Sequence, residues 1–234
     1  MIRSTWDYHH RADDFVRWAE AVGAMTRLHN PAPVVRWNAH KRYLLDLEAR
    51  GVSVVPSALL LRGWSGSLEA VVDSRGWHDI VIKPAVSAGS HMTLRSRGAG
   101  AEAEAHLRSV VATRDALVQP YLPEVEASGE RAVVCIGGAV THAVRKSPRF
   151  LHDDESVSGA LQVSPAETAL ARAALDAAGF GPLLYARVDM VRDGDSMRLM
   201  ELELIEPSLF LRQHPPALEA LVTGITGALG SVPS

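Results

Sequence analysis

One lysine of this chain stands between an apolar strand and a loop of small residues. The run Ile80-Val81-Ile82 predicts a buried strand, which delivers Lys83 at its end and is stopped by Pro84. The following residues, Ala85-Val86-Ser87-Ala88-Gly89-Ser90, can turn backbone N–H groups toward a polyphosphate while the lysine supplies positive charge. The alternative is an ordinary β-turn beside a solvated lysine. A P-loop is excluded, because no glycine-lysine-serine/threonine sequence occurs in the chain.

Lysine is rare in this chain. Only three of its 24 basic residues are lysines, namely Lys41, Lys83 and Lys146. An ammonium group is a compact point charge, whereas a guanidinium group is a planar fork. Phosphate oxygens are one partner that a lysine serves as a point charge. Chance is the alternative, and the scarcity indicates that these three positions should be tested for a phosphate-binding role.

Two predicted strands carry acidic residues on shared faces. Side chains alternate along a strand, so Arg187 and Asp189 share one face of the first strand, and Glu201 and Glu203 share one face of the second. If the strands pair around residues 193–195, three carboxylates converge, as in sites that share Mg²⁺ with substrate phosphates. The alternative is the solvated face of a hairpin. Strongly apolar neighbours favour burial, and buried carboxylates need pairing or a metal ion. We therefore favour a metal site.

A third segment, Leu117-Val118-Gln119-Pro120-Tyr121-Leu122-Pro123, runs from an apolar strand into a stretch bounded by prolines. Such a segment can bind an adenine base through backbone groups between apolar walls. A plain linker between domains is the alternative, and it is favoured if the segment is considered alone.

The bulk composition restricts the class of protein. The 234 residues suffice for one large domain or two small ones, and no apolar run approaches the ~20 residues of a membrane helix. The N-terminus lacks the apolar core of a signal peptide, and a net charge of −3 gives no reason to expect nucleic acid. The single cysteine, Cys135, excludes an intramolecular disulfide and is predicted to be buried. We expect a cytoplasmic protein without nucleic-acid or membrane partners.

Hairpin signals are mixed with helical periodicity along the chain, which predicts an α+β fold with antiparallel sheets. A Ser-Pro-Ala-Glu sequence at 164–167 predicts a capped helix start, and Gly137-Gly138 predicts a hairpin turn. Helices are predicted from residue 13 to about 22, from Asn38 to Gly51, and over 67–74, 101–111, 164–179 and 216–229. Strands are predicted over 1–6, 52–55, 58–61, 79–82, 91–95, 116–119, 132–136, 139–144, 183–191 and 197–205.

The order of these segments along the chain resembles that of ATP-grasp ligases, and among them the bacterial glutathione synthetase-like branch. Asn38-Ala39-His40-Lys41 resembles the helix that supplies the first ATP-binding lysine, and Lys83 with Ser87, Gly89 and Ser90 resembles the second lysine with its phosphate loop. Residues 119–123, followed by 129–131, resemble the adenine hinge and the strand after it. Arg187-Val188-Asp189, Glu201-Leu202-Glu203 and Pro207 resemble the metal-binding strands. The resemblance covers residues 36–230.

Two further features refine the resemblance. Residues 3–8 and 201–211 are similar to the ATP-grasp group that contains the ligase of D-cycloserine biosynthesis. Where the wider family has Glu-x-Asn, this chain has Glu203 in place of the asparagine, and its additional negative charge is expected to alter metal occupancy.

The resemblance implies an ATP-grasp fold of two α+β lobes with antiparallel sheets, at 36–118 and 119–234. Residues 1–35 are expected to be the remnant of a pre-ATP-grasp domain, most of which family members carry before this point. Three explanations would account for the missing part of that domain: the sequence is truncated, the gene start is placed too late, or the domain is dispensable. Part of the substrate pocket normally lies in that domain, which makes activity of this chain a question for experiment.

The implied activity is that of an ATP-dependent carboxylate–amine ligase, which forms an amide or peptide bond through an acyl phosphate and releases ADP and phosphate. The implied cofactors are ATP and Mg²⁺, with Mn²⁺ as a substitute, and the partners are a small carboxylate and a small amine. A homodimer is a further expectation from the family. The alternatives are a non-catalytic ATP-binding module and another ATP-grasp enzyme, such as a carboxylase or phosphotransferase.

The resemblance also implies roles for individual residues. Arg145 is expected to stabilise the transferred group or to form a peripheral salt bridge, and Lys146 to bind phosphate or to lie in solvent. The loops 147–160 and 208–212 are expected to select the substrate. His9 and His10 lie side by side near a predicted helix start, where a solvated turn is favoured over a metal-binding role. The implied sets are Lys41, Lys83, Ser87, Gly89, Ser90, Gln119, Tyr121, Leu122 and Glu130 for ATP; Asp189, Glu201 and Glu203 for metal; Arg187 and Arg145 for catalysis; and Arg3, Ser208 and Arg212 for substrate.

Overall fold

The computed structural model describes residues 1–147 and 157–230. A 3₁₀ turn, Tyr8–His10, precedes eight α-helices and eight β-strands in these ranges. The helices are α1 Ala12–Met25, α2 Ala32–Asn38, α3 Tyr43–Ala49, α4 Leu68–Asp73, α5 Ala101–Val111, α6 Glu124–Ser128, α7 Pro165–Ala178 and α8 Pro215–Gly230. The strands are β1 Ala58–Leu60, β2 Asp79–Pro84, β3 Leu94–Arg97, β4 Ala116–Pro120, β5 Glu130–Ile136, β6 Ala139–Lys146, β7 Tyr185–Asp193 and β8 Ser196–Glu203.

The first sheet has the strand order β1-β4-β2-β3, and all its pairs are antiparallel. Alternation along β2 buries Ile80 and Ile82 completely in a core that they share with α4 and α5. Lys83, which faces the other way, lies opposite Leu117 of β4. Because the isoleucine side chains of β2 point into the core, the side chain of Lys83 points to the opposite face of the sheet.

The second sheet has the order β6-β5-β7-β8, again with antiparallel pairs. Its largest core packs strand side chains such as Val188 and Leu202 against α3 and α7. The β7–β8 register places Asp189 opposite Glu201 and Arg187 opposite Glu203. The prediction of an α+β chain with antiparallel sheets is confirmed.

Helix α7 begins and ends as its sequence predicts. The Ser164 side chain accepts a hydrogen bond from the Glu167 backbone, and the Glu167 side chain accepts one from the Ser164 backbone. The helix ends at Gly179, whose φ of 78° lies in the left-handed region that glycine adopts without strain. Both termini of α7 are thus fixed by local sequence.

The N-terminal segment packs against the end of the second sheet. Ile2, Ala19 and Val35 share a core with Ile205. Buried Asn30 donates hydrogen bonds to the carbonyl oxygens of Tyr185 and Leu204, at 2.9 and 2.8 Å. These contacts bring residues 1–39 beside the segment that follows β8.

Some predicted boundaries are wrong. Residues 1–6 form no strand, and Asn38 ends a helix instead of beginning one, because its side chain bonds the carbonyl of Leu202 and the N–H of Leu204. Residues 52–55 contribute only a bridge between Val54 and Leu199. Strand β3 begins at Leu94, since Met92, with a φ of 53°, is not extended. Within the described ranges, no helix is long and apolar enough to cross a membrane.

Candidate active site

A cavity of about 670 Å³ lies between the two sheets. Lys83 and Gln119 line it from the first sheet, and Arg187, Glu201 and Glu203 line it from the second. Trp6, Tyr8 and His9 of the N-terminal segment close a further part of its wall. Its volume is that of a pocket for a small molecule or cofactor.

Lys83 is half-buried in the wall of this cavity. Its ammonium group forms no hydrogen bond or ion pair with any of the described residues. Burial lowers its pKa, although the carboxylate of Glu201 opposes that shift. A partly desolvated cation without a partner favours the binding of an anion in the cavity.

Lys41 follows α2 and is 7% exposed. Its Nζ donates to the carbonyl oxygen of Ser87 at 3.1 Å and forms an ion pair with Glu201 at 2.6 Å. Its backbone N–H also donates to the carbonyl oxygen of Ala85 at 2.7 Å. Lys41 therefore connects the loop after β2 to strand β8.

The loop after β2 has an unusual backbone. Gly89 has a φ of 60°, and Ser90, which carries a side chain, has a φ of 61°. A non-glycine residue in this region costs on the order of 1 kcal/mol, and such residues cluster in functional loops. Ser87, Gly89 and Ser90 all line the cavity.

Asp189 is fully buried beside the cavity. Arg187 donates to its two carboxylate oxygens from Nε and Nη2, each at 2.8 Å, and Lys146 Nζ lies 2.7 Å from Oδ2. Burial alone raises the pKa of a carboxyl group, but these two cations outweigh it and hold the pKa of Asp189 well below its usual range.

Glu201 and Glu203 face the cavity with side chains 29% and 30% exposed. Glu201 pairs with Lys41 and Glu203 with Arg187. The pKa of Glu203 is raised to about 7 by burial, with Asp189 and Glu201 adding to the shift and Arg187 opposing it. No three histidine, cysteine or acidic side chains of the described residues form a ready metal cluster. Each predicted metal ligand is instead held by a cation.

The predicted adenine segment lines the cavity through Gln119, Tyr121 and Leu122. Gln119 Nε2 donates to Ser57 Oγ at 2.8 Å. The guanidinium carbon of Arg95 lies over the Tyr121 ring, 3.6 Å from the ring centre. Leu122 packs against a cluster that includes Val55 and Val125, and these three residues give the cavity an apolar wall. Glu130, at the start of β5, also lines the cavity and pairs with Lys146.

The structure does not bring every predicted residue to the cavity. Arg145 and Arg212 are exposed and do not line it. Arg3 does not line the cavity and donates to the carbonyl oxygen of Pro207 at 2.8 Å, whereas Ser208 lines the cavity. Of the loop 147–160, residues 148–156 lie outside the described residues.

Several residues that line the cavity had no definite site role predicted from the sequence, and three of them are a lysine, a glutamate and a histidine. Lys146 faces the cavity in place of its neighbour Arg145, and the scarcity of lysine was the signal for it. Glu206 and His9 also line the cavity. They carry no recognisable motif, because their position depends on the packing of the N-terminal segment.

Known proteins are similar to this chain in sequence and in fold. The family described as D-cycloserine synthetase DcsG, N-terminal domain, matches residues 1–30. The cycloserine biosynthesis protein DcsG of Streptomyces lavendulae is 35% identical over 229 residues, which cover 90% of this chain and 76% of that protein. A crystal structure of D-cycloserine synthetase DcsG superposes with a TM-score of 0.87 at 33% identity, covering 97% of this chain and 82% of the other.

A more distant structure shares the fold. The D-alanine–D-alanine ligase of Bacillus anthracis, in a crystal structure with ATP, superposes with a TM-score of 0.66. Identity is 14%, over 84% of this chain and 67% of that one, so this similarity concerns the fold alone.

Proposed function

The chain belongs to the DcsG family of ATP-grasp ligases, and from that premise we propose how its residues bind ATP and Mg²⁺ and support amide-bond formation. As a member of this family, it is an ATP-dependent ligase that joins a carboxylate to an amine. The observation that supports our assignment of the nucleotide site is Lys83, a half-buried cation without a partner among the described residues.

Lys83, Lys41 and the loop 87–90 form the proposed phosphate site. Lys83 supplies a charge that no described carboxylate pairs with, and Lys41 is already bonded to the loop through Ser87. Gly89 and Ser90 give the loop a backbone that can turn N–H groups inward. A polyphosphate at this site would neutralise both lysines.

The residues present fit a magnesium ion. Glu201 and Glu203 are partly exposed carboxylates that face the cavity, and Mg²⁺ prefers such oxygen ligands. Asp189 is the third proposed ligand, and it must exchange Lys146 or Arg187 for the metal. When bound, the metal would neutralise charge on the phosphate oxygens. Lys41 and Arg187, released from Glu201 and Glu203, would then turn to phosphate.

Gln119, Tyr121 and Leu122, together with Glu130, form the proposed binding site for the rest of the nucleotide. Leu122 and Val55 supply an apolar wall for a base. Tyr121 is fixed in place, since its backbone N–H donates to the Asp79 carbonyl at 2.8 Å and its hydroxyl donates to Glu126 at 2.8 Å.

The chemical step requires positioning and charge neutralisation more than a protein base. A substrate carboxylate would attack the γ-phosphoryl group, and an amine would then displace phosphate from the acyl phosphate. Arg187 is proposed to stabilise the transferred group, with Lys146 in the role expected of Arg145, because Lys146 lines the cavity. Ser208 is proposed to contact the substrate, with Arg3 holding Pro207 beside it.

Thermal unfolding with and without a non-hydrolysable ATP analogue and Mg²⁺ tests the nucleotide site. A ligand at about 100 times its dissociation constant stabilises the folded protein by roughly 2.7 kcal/mol. Lys83→Ala and Glu201→Ala should reduce that stabilisation, whereas Arg97→Ala, which removes an exposed charge of the same sheet, should not. Absence of stabilisation in the well-folded wild type would overturn the proposal.

Phosphate release separates a ligase from a non-catalytic ATP-binding module. With ATP, Mg²⁺ and panels of small acids and amines, a ligase releases phosphate only when both acceptors are present. Stabilisation by nucleotide without such release would favour the non-catalytic module. A homodimer and a cytoplasmic location stay predictions.

A further inference from the structure

Three histidines from two distant parts of the chain lie together. His9 and His10 belong to the 3₁₀ turn of the N-terminal segment, and His91 belongs to the loop between β2 and β3. The ring centre of His91 lies 5.2 Å from that of His9 and 5.6 Å from that of His10, and the rings of His9 and His10 are 4.0 Å apart. Distances of this size mean contact between aromatic rings. The histidines therefore join the N-terminal segment to the loop after β2.

The tip of that loop has few other polar attachments. Lys41 bonds the start of the loop, as described above, and at its end His106 Nε2 lies 3.0 Å from the carbonyl oxygen of Met92. Among the described residues, the hydrogen bonds of residues 88–91 stay within the loop. The ring of His91 is thus a contact that connects the tip of the loop to another segment of the chain.

The position of the tip matters for the proposed phosphate site. Gly89 and Ser90, which directly precede His91, line the cavity and belong to that site. Ser90 and Met92, on either side of His91, have φ values of 61° and 53°. This backbone conformation is unfavourable for residues that carry a side chain, and it persists only where surrounding contacts maintain it. The contact of His91 with the N-terminal segment is placed to maintain it.

A contact between histidine rings depends on their charge. Burial lowers the pKa of His9, the carbonyl oxygen of Trp6 opposes that shift, and His10, His91 and Arg114 lower the pKa further. These three basic groups come from the same turn, from the loop after β2 and from the segment before β4. Neutral rings can pack against one another, whereas protonation places like charges at the distances given above, where they repel.

We propose that His9, His10 and His91 form a pH-sensitive contact, which holds the tip of the loop in position for the phosphates of ATP when the rings are neutral and releases it when they are protonated. His91 is a positioning residue, since it acts through Gly89 and Ser90. The inference rests on the proposed function, because these two residues belong to the proposed phosphate site. A direct bond from protonated His91 to phosphate would have the opposite effect, namely tighter binding of ATP in acid.

The contact itself is tested without nucleotide. Two-dimensional ¹H–¹³C NMR follows the ring of His9 through a pH titration of the wild type and of His91→Phe, which keeps an aromatic ring but carries no charge. The pKa of His9 should rise in His91→Phe, because a cation no longer forms beside it. His78→Phe changes an exposed histidine that does not line the cavity, and it should leave the pKa of His9 unchanged. Equal values in the wild type and His91→Phe would overturn the proposal.

The effect on the nucleotide site is measured as the Kd of the ATP analogue at saturating Mg²⁺ and fixed ionic strength, by calorimetry at pH 8 and pH 5.5. Between these pH values, the Kd of the wild type should rise about fourfold more than that of His91→Phe, the factor that Coulomb repulsion between two charges about 5 Å apart in water predicts. His91→Ala, which removes the ring, should bind about two- to tenfold more weakly than His91→Phe at pH 8. His78→Phe should follow the wild type at both pH values.

Two results of the calorimetry would contradict the pH-sensitive contact. One is an equal change of Kd with pH in the wild type and His91→Phe. The other is tighter binding in acid that is lost in His91→Phe, which would show that His91 bonds phosphate directly. Absence of binding to the wild type at pH 8 would overturn the nucleotide site and with it the role of the contact, whereas the NMR titration shows separately whether the contact exists.

Discussion

Lys146 Nζ lies 2.7 Å from Asp189 Oδ2, although β5 separates the strands on which the two residues stand. Lys146 lies opposite Glu130 in the β5–β6 register, and it pairs with that residue as well. Its side chain is 11% exposed and that of Asp189 is 1% exposed. One lysine thus neutralises carboxylates on two strands, and this arrangement ties the β6 edge of the sheet to the cavity.

Removal of the Lys146 charge should destabilise the ligand-free protein. In Lys146→Met, Asp189 keeps Arg187, but Glu130, whose side chain is 21% exposed, loses its ion-pair partner. We expect a loss of about 1–3 kcal/mol, the range for a partly buried group that is left unpaired. Urea unfolding at pH 7 measures it. Arg145→Met, an exposed change one residue away, should cost under about 0.5 kcal/mol. Equal losses in the two variants would contradict the role given to Lys146.

Glu203 occupies the position where the wider family has asparagine, and Glu203→Asn tests its charge. The amide oxygen can still bind Mg²⁺, but one negative charge is lost from the site. We expect Mg²⁺ to bind more weakly, so that the half-saturating Mg²⁺ concentration rises about tenfold, equivalent to ~1.4 kcal/mol. The measurement is the Mg²⁺ concentration that gives half of the stabilisation by the ATP analogue.

Glu203→Leu serves as the comparison, since leucine has no oxygen ligand. Glu203→Leu should raise the half-saturating Mg²⁺ concentration further than Glu203→Asn does. If Glu203→Asn and Glu203→Leu behave alike, Glu203 contributes no ligand to the metal.

Local sequence signals determined much of the fold. The capping box of Ser164 and Glu167, the helix stop at Gly179 and the hairpin at Gly137-Gly138 depend on neighbouring residues alone, and the structure confirms all three. The paired acidic strands were also predictable, because alternation fixes which residues of β7 and β8 share a face.

Contacts between distant segments could not be predicted in this way. Strand alternation separates Arg145 from Lys146 but does not say which one faces the cavity, and the pairing of β6 with β5 decides it. Asn38 ends its helix because of bonds to residues more than 160 positions away. Likewise, Glu206 Oε2 is buried without a hydrogen-bond partner among the described residues where the N-terminal segment meets the end of β8.

Glu167 should make the protein sensitive to acid. Burial raises its pKa, but hydrogen bonds from Arg131 Nε, at 2.5 Å, and from the Ser164 backbone outweigh burial and lower it below 4.5. The unfolded chain therefore binds the proton more readily. The stability due to Glu167 is complete above about pH 4.5 and is lost as pH falls through the folded-state pKa.

Glu167→Gln should accordingly cost about 1–2 kcal/mol at pH 7 and less at pH 3. Urea unfolding at several pH values measures the difference. Glu69→Gln changes an exposed glutamate in the first turn of α4 and serves as control, with a small effect at both pH values. A cost for Glu167→Gln that does not change with pH would contradict the charge-based account.

Glu206 should have the opposite effect on pH dependence. Burial raises its pKa to about 8, with Glu203 and Glu201 adding to the shift and Lys41 and Arg187 opposing it. Between about pH 4.5 and 8 the folded protein holds a proton that the unfolded chain has lost. The free energy of unfolding therefore falls as pH rises through this window.

Glu206→Gln removes that dependence on pH. The free energy of unfolding of the variant should equal that of the wild type at pH 4.5 and exceed it by about 1–2 kcal/mol at pH 8. This value is discounted from 1.36 kcal/mol per pKa unit because the residue is partly exposed. Urea unfolding without ligand at pH 4.5, 6, 7 and 8 measures the difference, and Glu219→Gln, an exposed change of the same kind on α8, should follow the wild type throughout. A gain that is the same at every pH would mean that the carboxyl group of Glu206 titrates normally in the folded protein.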